Sequence, residues 1–393
     1  MQAAKRFTAF AQAAVLGAAL AAALAGCVAV PSQGTDGLTD GVNPAPSPVS
    51  ALRFIGEQRV PHRALYEGTM LGGFSGLDYD AARGRWVIES DDRCSHSPAR
   101  FYEAEFDFDA NAFRAVRFVG VHRFINSDGK DYAASPAGCA QADVESIRID
   151  PLDGSIWYAS EGDRRAGLDP FIRHAARDGG YLADLPLPDN FRFHKNEERG
   201  SRYNGVFEGI AFAPDGRSLW ATLEWPLYED GPIPATQHGA LVRMTQFQRD
   251  GKVMRQFAYP VDPIPFEPGP GKEAENGVTE ILPLPDGELL VLERATVQGA
   301  DGVYRNDVRI YATQARSATD VKSLPGLAGA TFTQARKRLV LNLAALGLPR
   351  IDNLEAMSFG PRLPNGHATL VLASDDNFGK TQVTQFLLFE VLP

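Results

Sequence analysis

Glu145, Glu208, Glu280 and Glu355 each open a short apolar segment, and Asp91, Glu161, Glu224, Glu293 and Asp375 each close the apolar segment that follows an opening. The first copy opens on Ser75 instead of an acid. Successive openings are separated by 70, 63, 72 and 75 residues, and the closing acid follows its opening by 16 in the first three copies, 13 in the fourth and 20 in the fifth. Carboxylates drawn together from so many segments raise one another's pKa and repel unless cations compensate them. Hard oxygen donors from several segments suit Ca²⁺, which accepts about six to eight oxygens in flexible geometry. Arg93 and Arg294 stand beside closing acids, placed either to neutralise them or to clamp an anionic group.

The elements that must carry these residues are hairpins. Each copy reads as an apolar strand, a turn and a second apolar strand, with Asp153-Gly154, Asp215-Gly216 and Asp286-Gly287 at the turns of the second to fourth. Asp-Gly between apolar strands is a strong hairpin signal. Two residues beyond each opening lie Leu77, Ile147, Ile210, Leu282 and Met357, so the opening acids share the register of core positions. An antiparallel hairpin sets the end of its second strand beside the start of its first, which brings the closing acids to the openings. Repetition at this period predicts an all-β, single β-propeller of four-stranded antiparallel blades, five by the repeat count and six if one inter-repeat region hides a degenerate copy. Outer strands are readable at 100–108, 115–121, 240–248 and 254–259. The last copy shows only one, 385–391, and the segment 52–58 is expected to supply its fourth strand and cover the sheet edge. Ring closure would then gather nine acids at one mouth of the central channel. A plainer role for a repeated acid at a strand start is to accept backbone N–H bonds from the next blade.

Outside the repeats, Lys5 and Arg6 precede an alanine-rich apolar run that ends in Leu24-Ala25-Gly26-Cys27, the layout of a secretory signal with a lipobox. Residues 1–26 are thus expected to be removed, Cys27 to be lipidated, residues 27–50 to form a flexible Pro/Gly/Ser-rich tether, and residues 51–393 to fold. This predicts an exported lipoprotein of the periplasm or cell envelope, at the outer membrane, held by its lipid alone and acting as a monomer. Cys94 and Cys139 are the remaining thiols, which an oxidising compartment would allow to bridge if their Cα atoms approach closely enough. The net charge of −10 disfavours nucleic acid as a partner.

The phrases 72–77 (Gly-Gly-Phe-Ser-Gly-Leu), 89–93 (Glu-Ser-Asp-Asp-Arg), 207–210 (Phe-Glu-Gly-Ile), 352–357 (Asp-Asn-Leu-Glu-Ala-Met) and 373–378 (Ala-Ser-Asp-Asp-Asn-Phe) resemble the phytase-like family of secreted bacterial proteins, named for an esterase-like activity of phytase. The resemblance runs from about Leu65 to Glu390 and implies a propeller related to phytases that use calcium to hold and hydrolyse phosphate esters. On that reading the substrate is a phosphorylated small molecule, and clustered cations screen the dianion and acidify an attacking water. The competing reading is a non-catalytic envelope propeller that binds a ligand or protein at the same mouth. Other signatures are weaker. Ser75 lacks the second flanking glycine and the strand-to-helix turn of a nucleophile elbow. The segment 107–111 lacks the glycine and the final glutamate of an EF-hand loop. The seven histidines show no zinc-like spacing.

Overall fold

Inner strands of this protein lie between two neighbouring blades and are buried on both faces, so their apolar residues run on instead of alternating. In the computed structural model, described for residues 46, 48–132, 142–165 and 167–393, they build five four-stranded antiparallel sheets and no α-helix among the described residues. β1 (Ala51–Val60) comes first, followed by a two-stranded hairpin of β2 (Leu65–Tyr66) and β3 (Thr69–Met70). Blade 1 is β4 (Leu77–Asp80), β5 (Arg85–Ser90), β6 (Arg100–Phe108) and β7 (Phe113–Arg123); blade 2 is β8 (Val144–Ile149), β9 (Ile156–Ser160), β10 (Phe171–Ala175) and β11 (Tyr181–Asp184). Blade 3 is β12 (Phe207–Phe212), β13 (Ser218–Leu223), β14 (Ala240–Gln248) and β15 (Val253–Val261); blade 4 is β16 (Ala274–Pro283), β17 (Glu288–Gln298), β18 (Tyr304–Gln314) and β19 (Lys337–Asn342). Blade 5 takes β20 (Leu354–Gly360), β21 (Thr369–Ser374) and β22 (Thr384–Leu392) from the end of the chain and β1 from its start. The ring is a five-bladed propeller, and a sixth blade is not hidden among the described residues.

β1 pairs with β22 from Ala51↔Leu392 to Val60↔Thr384, so the outermost strand of blade 5 is the earliest strand described. The inner strands β4, β8, β12, β16 and β20 touch in sequence and close on themselves. An apolar cluster fills each crevice between neighbours. Leu282, Leu290 and Ile310 of blade 4, for example, meet Leu354, Met357 and Leu372 of blade 5, and Trp86 and Phe74 pack with Val371 and Phe386 across the closing seam. The tryptophans of successive hairpins, Trp86, Trp157 and Trp220, are buried packing residues, with Trp86 stacked on Phe106 at 4.9 Å.

The glycine pair at the seam has a backbone reason. Gly73 has a φ of 65°, and a Cβ there would stand 2.6 Å from the Asp91 carbonyl oxygen; one on Gly72 would stand 2.6 Å from Asp376 Oδ1. The freed space lets Gly73 N–H donate to Asp376 Oδ1 at 3.0 Å, tying blade 1 to blade 5. Segment 107–111 is a turn between β6 and β7, in which Asp109 accepts from the backbone of Asn111 and Ala112. No helix among the described residues is long and apolar enough to cross a membrane. The expected signal, Cys27 and most of the tether lie outside the described residues, as does Cys139; Cys94 is disulfide-bonded.

Candidate metal centre at the channel mouth

Three of the four opening acids sit on a bulge. β8 and β9 pair Val144↔Ser160 and then Ser146↔Ala159, leaving Glu145 as the extra residue; Glu208 and Glu355 are the extra residues of β12 and β20. A bulge bends the strand and re-aims the side chain, which explains how an acid occupies a strand start whose alternation calls for an apolar residue. The closing acids are held beside them by matching backbone bonds: Asp91 N to Gly73 O, Glu161 N to Asp143 O, Glu224 N to Val206 O and Asp375 N to Asn353 O.

Blade 4 departs from the sequence reading by one residue. Its bulge lies between Val278 and Glu280, so Thr279 takes the place of Glu145, and Arg294, opposite Gly277, takes the place of the closing acid. Glu280 and Glu293 therefore leave the mouth. Glu280 points into the channel, where Arg148 of β8 ion-pairs with it at 2.5 Å. The same guanidinium donates to Leu77 O of blade 1 at 2.7 Å and Met357 O of blade 5 at 3.3 Å, so one arginine spans the axis and closes the channel below the mouth. Glu293 turns towards the outer part of the blade 3–blade 4 crevice, accepting from Tyr259 Oη at 2.5 Å and Asp262 N at 3.1 Å and pairing with Lys337. The physical cause is that Ile281 and Leu282 are both apolar, so alternation does not fix the register, and a one-residue slip moves every side chain to the other face.

Two acids that the repeat did not single out join the mouth. Asp143, two residues before Glu145, is buried and ion-pairs with Arg93 at 2.9 Å. Glu89, two residues before Asp91, is fully buried, and the Ser75 backbone N–H faces its carboxylate. It stands where the other blades have Ala159, Thr222, Leu292 and Ala373. Room for it comes from Gly76, where a Cβ would lie 3.0 Å from Glu89 Cγ. Blade 1 thus carries its extra acid on the second strand, while Ser75 on the first donates to Glu355 at 3.0 Å. The signal for both was an acid spaced two residues from a singled-out one.

The assembled carboxylates fall into two close groups. One oxygen each from Asp91, Asp143 and Glu145, and one each from Glu161, Glu208 and Glu224, lie within 4.8 Å of one another inside their group. Burial raises the pKa of every one of them, and repulsion adds to it except at Glu161, where the Val206 N–H and Arg93 oppose burial. Asp91 is pushed up further by Asp143, Glu145 by Asp91 and Glu208, and Glu208 by Glu224 and Glu161. Asp143 is pushed up to about 7, held from going higher by Arg93. Asp375 and Glu89 are raised well above the ordinary carboxylate range, and Glu355 is raised less because Arg294 opposes burial.

Arg294 is committed to this cluster. Its Nη2 donates to Glu355 at 2.8 Å and Glu224 at 3.2 Å, and its Nη1 binds Glu275. With a side chain 6% exposed it neutralises acids, and the anion-clamping alternative falls to Arg93, whose side chain is 48% exposed. A third acidic group, Asp150, Asp153 and His174, belongs to the far end of blade 2 and is engaged by Arg249, Trp157 and Ser155.

A pH dependence follows. Carboxyls that ionise near 4 in the unfolded chain stay protonated in the folded, metal-free protein to about 7 for Asp143, and burial shifts the others in the same direction. The folded state then binds more protons than the unfolded one, so stability present below the unfolded pKa is lost as pH rises through the folded values. Exposed acids with lowered values, such as Asp301 at about 2, titrate below that window. The urea midpoint in EDTA is expected to fall from about pH 5 to about pH 8, and excess calcium to reverse the trend, because cation binding releases protons. A midpoint that rises with pH in EDTA would contradict this.

Residues 69–378, which contain every mouth carboxylate, match the phytase-like family, described as esterase-like activity of phytase. The chain belongs to the phytase-like family. Its description is of a hydrolytic activity, and the fold that carries it here is the five-bladed propeller. This phytase-like chain is 24% identical over 228 residues to an uncharacterized secreted protein of Arthroderma benhamiae, a match covering 50% of this chain and 43% of that protein. It spans less than half of that relative's length. Among solved structures it is similar to a protein from Lactobacillus plantarum at 12% identity, covering 77% of this chain and 64% of that one with a TM-score of 0.32. It is also similar to the catalytic domain of a Coprinopsis cinerea GH62 α-L-arabinofuranosidase at 11% identity, 87% and 98% coverage and a TM-score of 0.40. Similarities at this level carry no inference about chemistry.

Proposed function

We propose that this phytase-like protein is an exported, divalent-cation-dependent phosphomonoesterase that works at the acidic mouth of its propeller. The observation that supports the reading is the pair of carboxylate triads, together with a buried acceptor oxygen on Asp91 that no donor satisfies. Buried carboxylates without donors cost free energy, and an all-oxygen donor set at this spacing fits hard cations such as Ca²⁺. Asp91, Asp143 and Glu145 would hold one ion and Glu161, Glu208 and Glu224 a second. When bound, such ions supply charge screening for the dianionic ester and lower the pKa of an attacking water.

The remaining work falls to the chain itself. Arg93, half exposed and anchored on Asp143, reaches a non-bridging phosphate oxygen with the nitrogens that the ion pair leaves free. Ser75, Asn353 and Arg294 fix Glu355 through three hydrogen bonds, and the Val206 N–H fixes Glu161. Arg148 closes the channel beneath, so substrate enters and product leaves by the mouth. Export is supported by the signal-like start of the chain and by the secreted relative, and Cys27 would carry the lipid that holds a monomer at the outer membrane.

The test is a calcium titration that reads melting temperature and hydrolysis of a phosphomonoester on the same preparation. Saturable stabilisation with turnover that EDTA abolishes is the expected result. Stabilisation without turnover would leave a cation-binding envelope propeller, and neither response would remove the metal from the reading.

A further inference from the structure

Asn377 and Phe378 follow the closing acid Asp375 with φ of 45° and 50°. Left-handed backbone is rare for a bulky residue, and glycine adopts it at lower cost. A strained position that carries an aromatic ring carries it for what the ring does, and such positions gather where function requires them.

The ring of Phe378 crosses the closing seam. It lies against Gly72 and Gly73, where an added Cβ would in either case stand 3.0 Å from a ring carbon, and it stacks on the His96 imidazole with centroids 4.4 Å apart. Gly72 and Gly73 precede β4 and His96 belongs to the β5–β6 loop, so one side chain of blade 5 grips blade 1 at two points. Asp91 is tied to both. Its N–H donates to Gly73 O at 2.6 Å, the Ser90 hydroxyl beside it donates to Gly72 O at 2.7 Å, and Asp92, next in the chain, accepts from His96 N at 3.2 Å. On the blade 5 side the Asn377 N–H donates to Asp375 at 2.6 Å, and Asp376 Oδ1 accepts from the N–H groups of Phe378 and Gly73 at 3.2 and 3.0 Å.

The ring thus joins two loops that charge drives apart. Asp91 stands close enough to Asp375 for their repulsion to raise the Asp375 pKa. A site binds its ligand more tightly when the binding groups are already held in place, because less ordering remains to be done.

We propose that Phe378 is a positioning residue for the candidate cation site. Its ring, held on the Gly72-Gly73 backbone and the His96 imidazole, locks the Asp375 loop to the Asp91 loop, so that Asp91 stands in its triad before a cation arrives. This rests on the cation part of the reading above and is indifferent to whether any ester is hydrolysed.

Calcium binding is measured by calorimetry on the parent, Phe378→Gly, Phe378→Tyr and His96→Ala, and the melting temperature of each is read in EDTA. Phe378→Gly is expected to weaken one of the parent's calcium sites by about tenfold or more, the range for groups that orient metal ligands. Its melting temperature in EDTA should stay at or above that of the parent, because glycine relieves the left-handed backbone and the freed loops let the acids separate. Phe378→Tyr keeps the ring and the parent affinity, and His96→Ala weakens binding in the same direction by less. Parent affinity in Phe378→Gly overturns the inference. So does a loss of affinity that comes with a lower melting temperature in EDTA, which marks a packing residue alone, or a Phe378→Tyr variant as weak as the glycine one. A parent that binds no calcium removes the cation reading and the role of Phe378 with it, a result distinct from a parent and a glycine variant that bind equally well.

Discussion

Replacing both Glu145 and Glu208 with glutamine is expected to abolish calcium-induced stabilisation and to lower kcat/KM for a phosphomonoester by about 10³-fold, equivalent to about 4 kcal/mol of transition-state free energy. The same double variant should melt higher than the parent in EDTA. These two acids belong to different triads on adjacent blades, and Glu208 raises the pKa of Glu145. Without a cation their charges oppose folding, so neutral amides of nearly the same shape relieve repulsion. With a cation they are ligands, and the stabilisation lost is about 2.7 kcal/mol for each of the two sites when free calcium is a hundred times its Kd. Opposite signs in the two conditions separate a cation site from a structural role. If the acids served only as mortar between blades, the double variant would melt lower in EDTA and keep whatever calcium response the parent shows.

Arg294→Met is expected to destabilise the metal-free protein by about 3–5 kcal/mol at neutral pH, the range for removing one partner of a buried ion pair. The guanidinium serves three carboxylates, of which Glu224 and Glu355 have side chains 2% and 8% exposed. Glu275 is 37% exposed and contributes little, because solvent screens it. The loss should shrink as pH falls, since Glu224 and Glu355 have raised pKa values and take up protons once their partner is gone. Chemical denaturation at pH 5 and pH 7.5 measures both quantities. An unchanged midpoint at neutral pH would show that Arg294 does not compensate the cluster.

Such a cluster bears on how the mouth is built. Four of the seven non-glycine residues with positive φ among the described residues are Arg93, Cys94, Asn377 and Phe378, in the two Asp-Asp loops that flank the closing seam. In one loop Asp92 takes the backbone N–H groups of His96 and Ser97; in the other Asp376 takes those of Gly73 and Phe378. The second aspartate of each loop holds a strained backbone that sets the first, Asp91 or Asp375, at the mouth.

The sequence by itself determined the repeat, a count of five with six left open, the closure by the segment 52–58 and the gathering of seven of the nine singled-out carboxylates at the mouth. Hairpin period, Asp-Gly turns and acids at strand ends are local signals, each readable from a dozen residues. Only the tertiary structure decided the register of blade 4, because Ile281 and Leu282 are buried alike and alternation is silent there. Glu89 depends on Gly76 leaving space, Arg148 on four inner strands converging upon one guanidinium, and Arg294 on standing where its equivalents are acids. Each of these is a meeting of residues distant in the chain, and charge compensation in a buried site is set by that meeting rather than by any segment's own pattern.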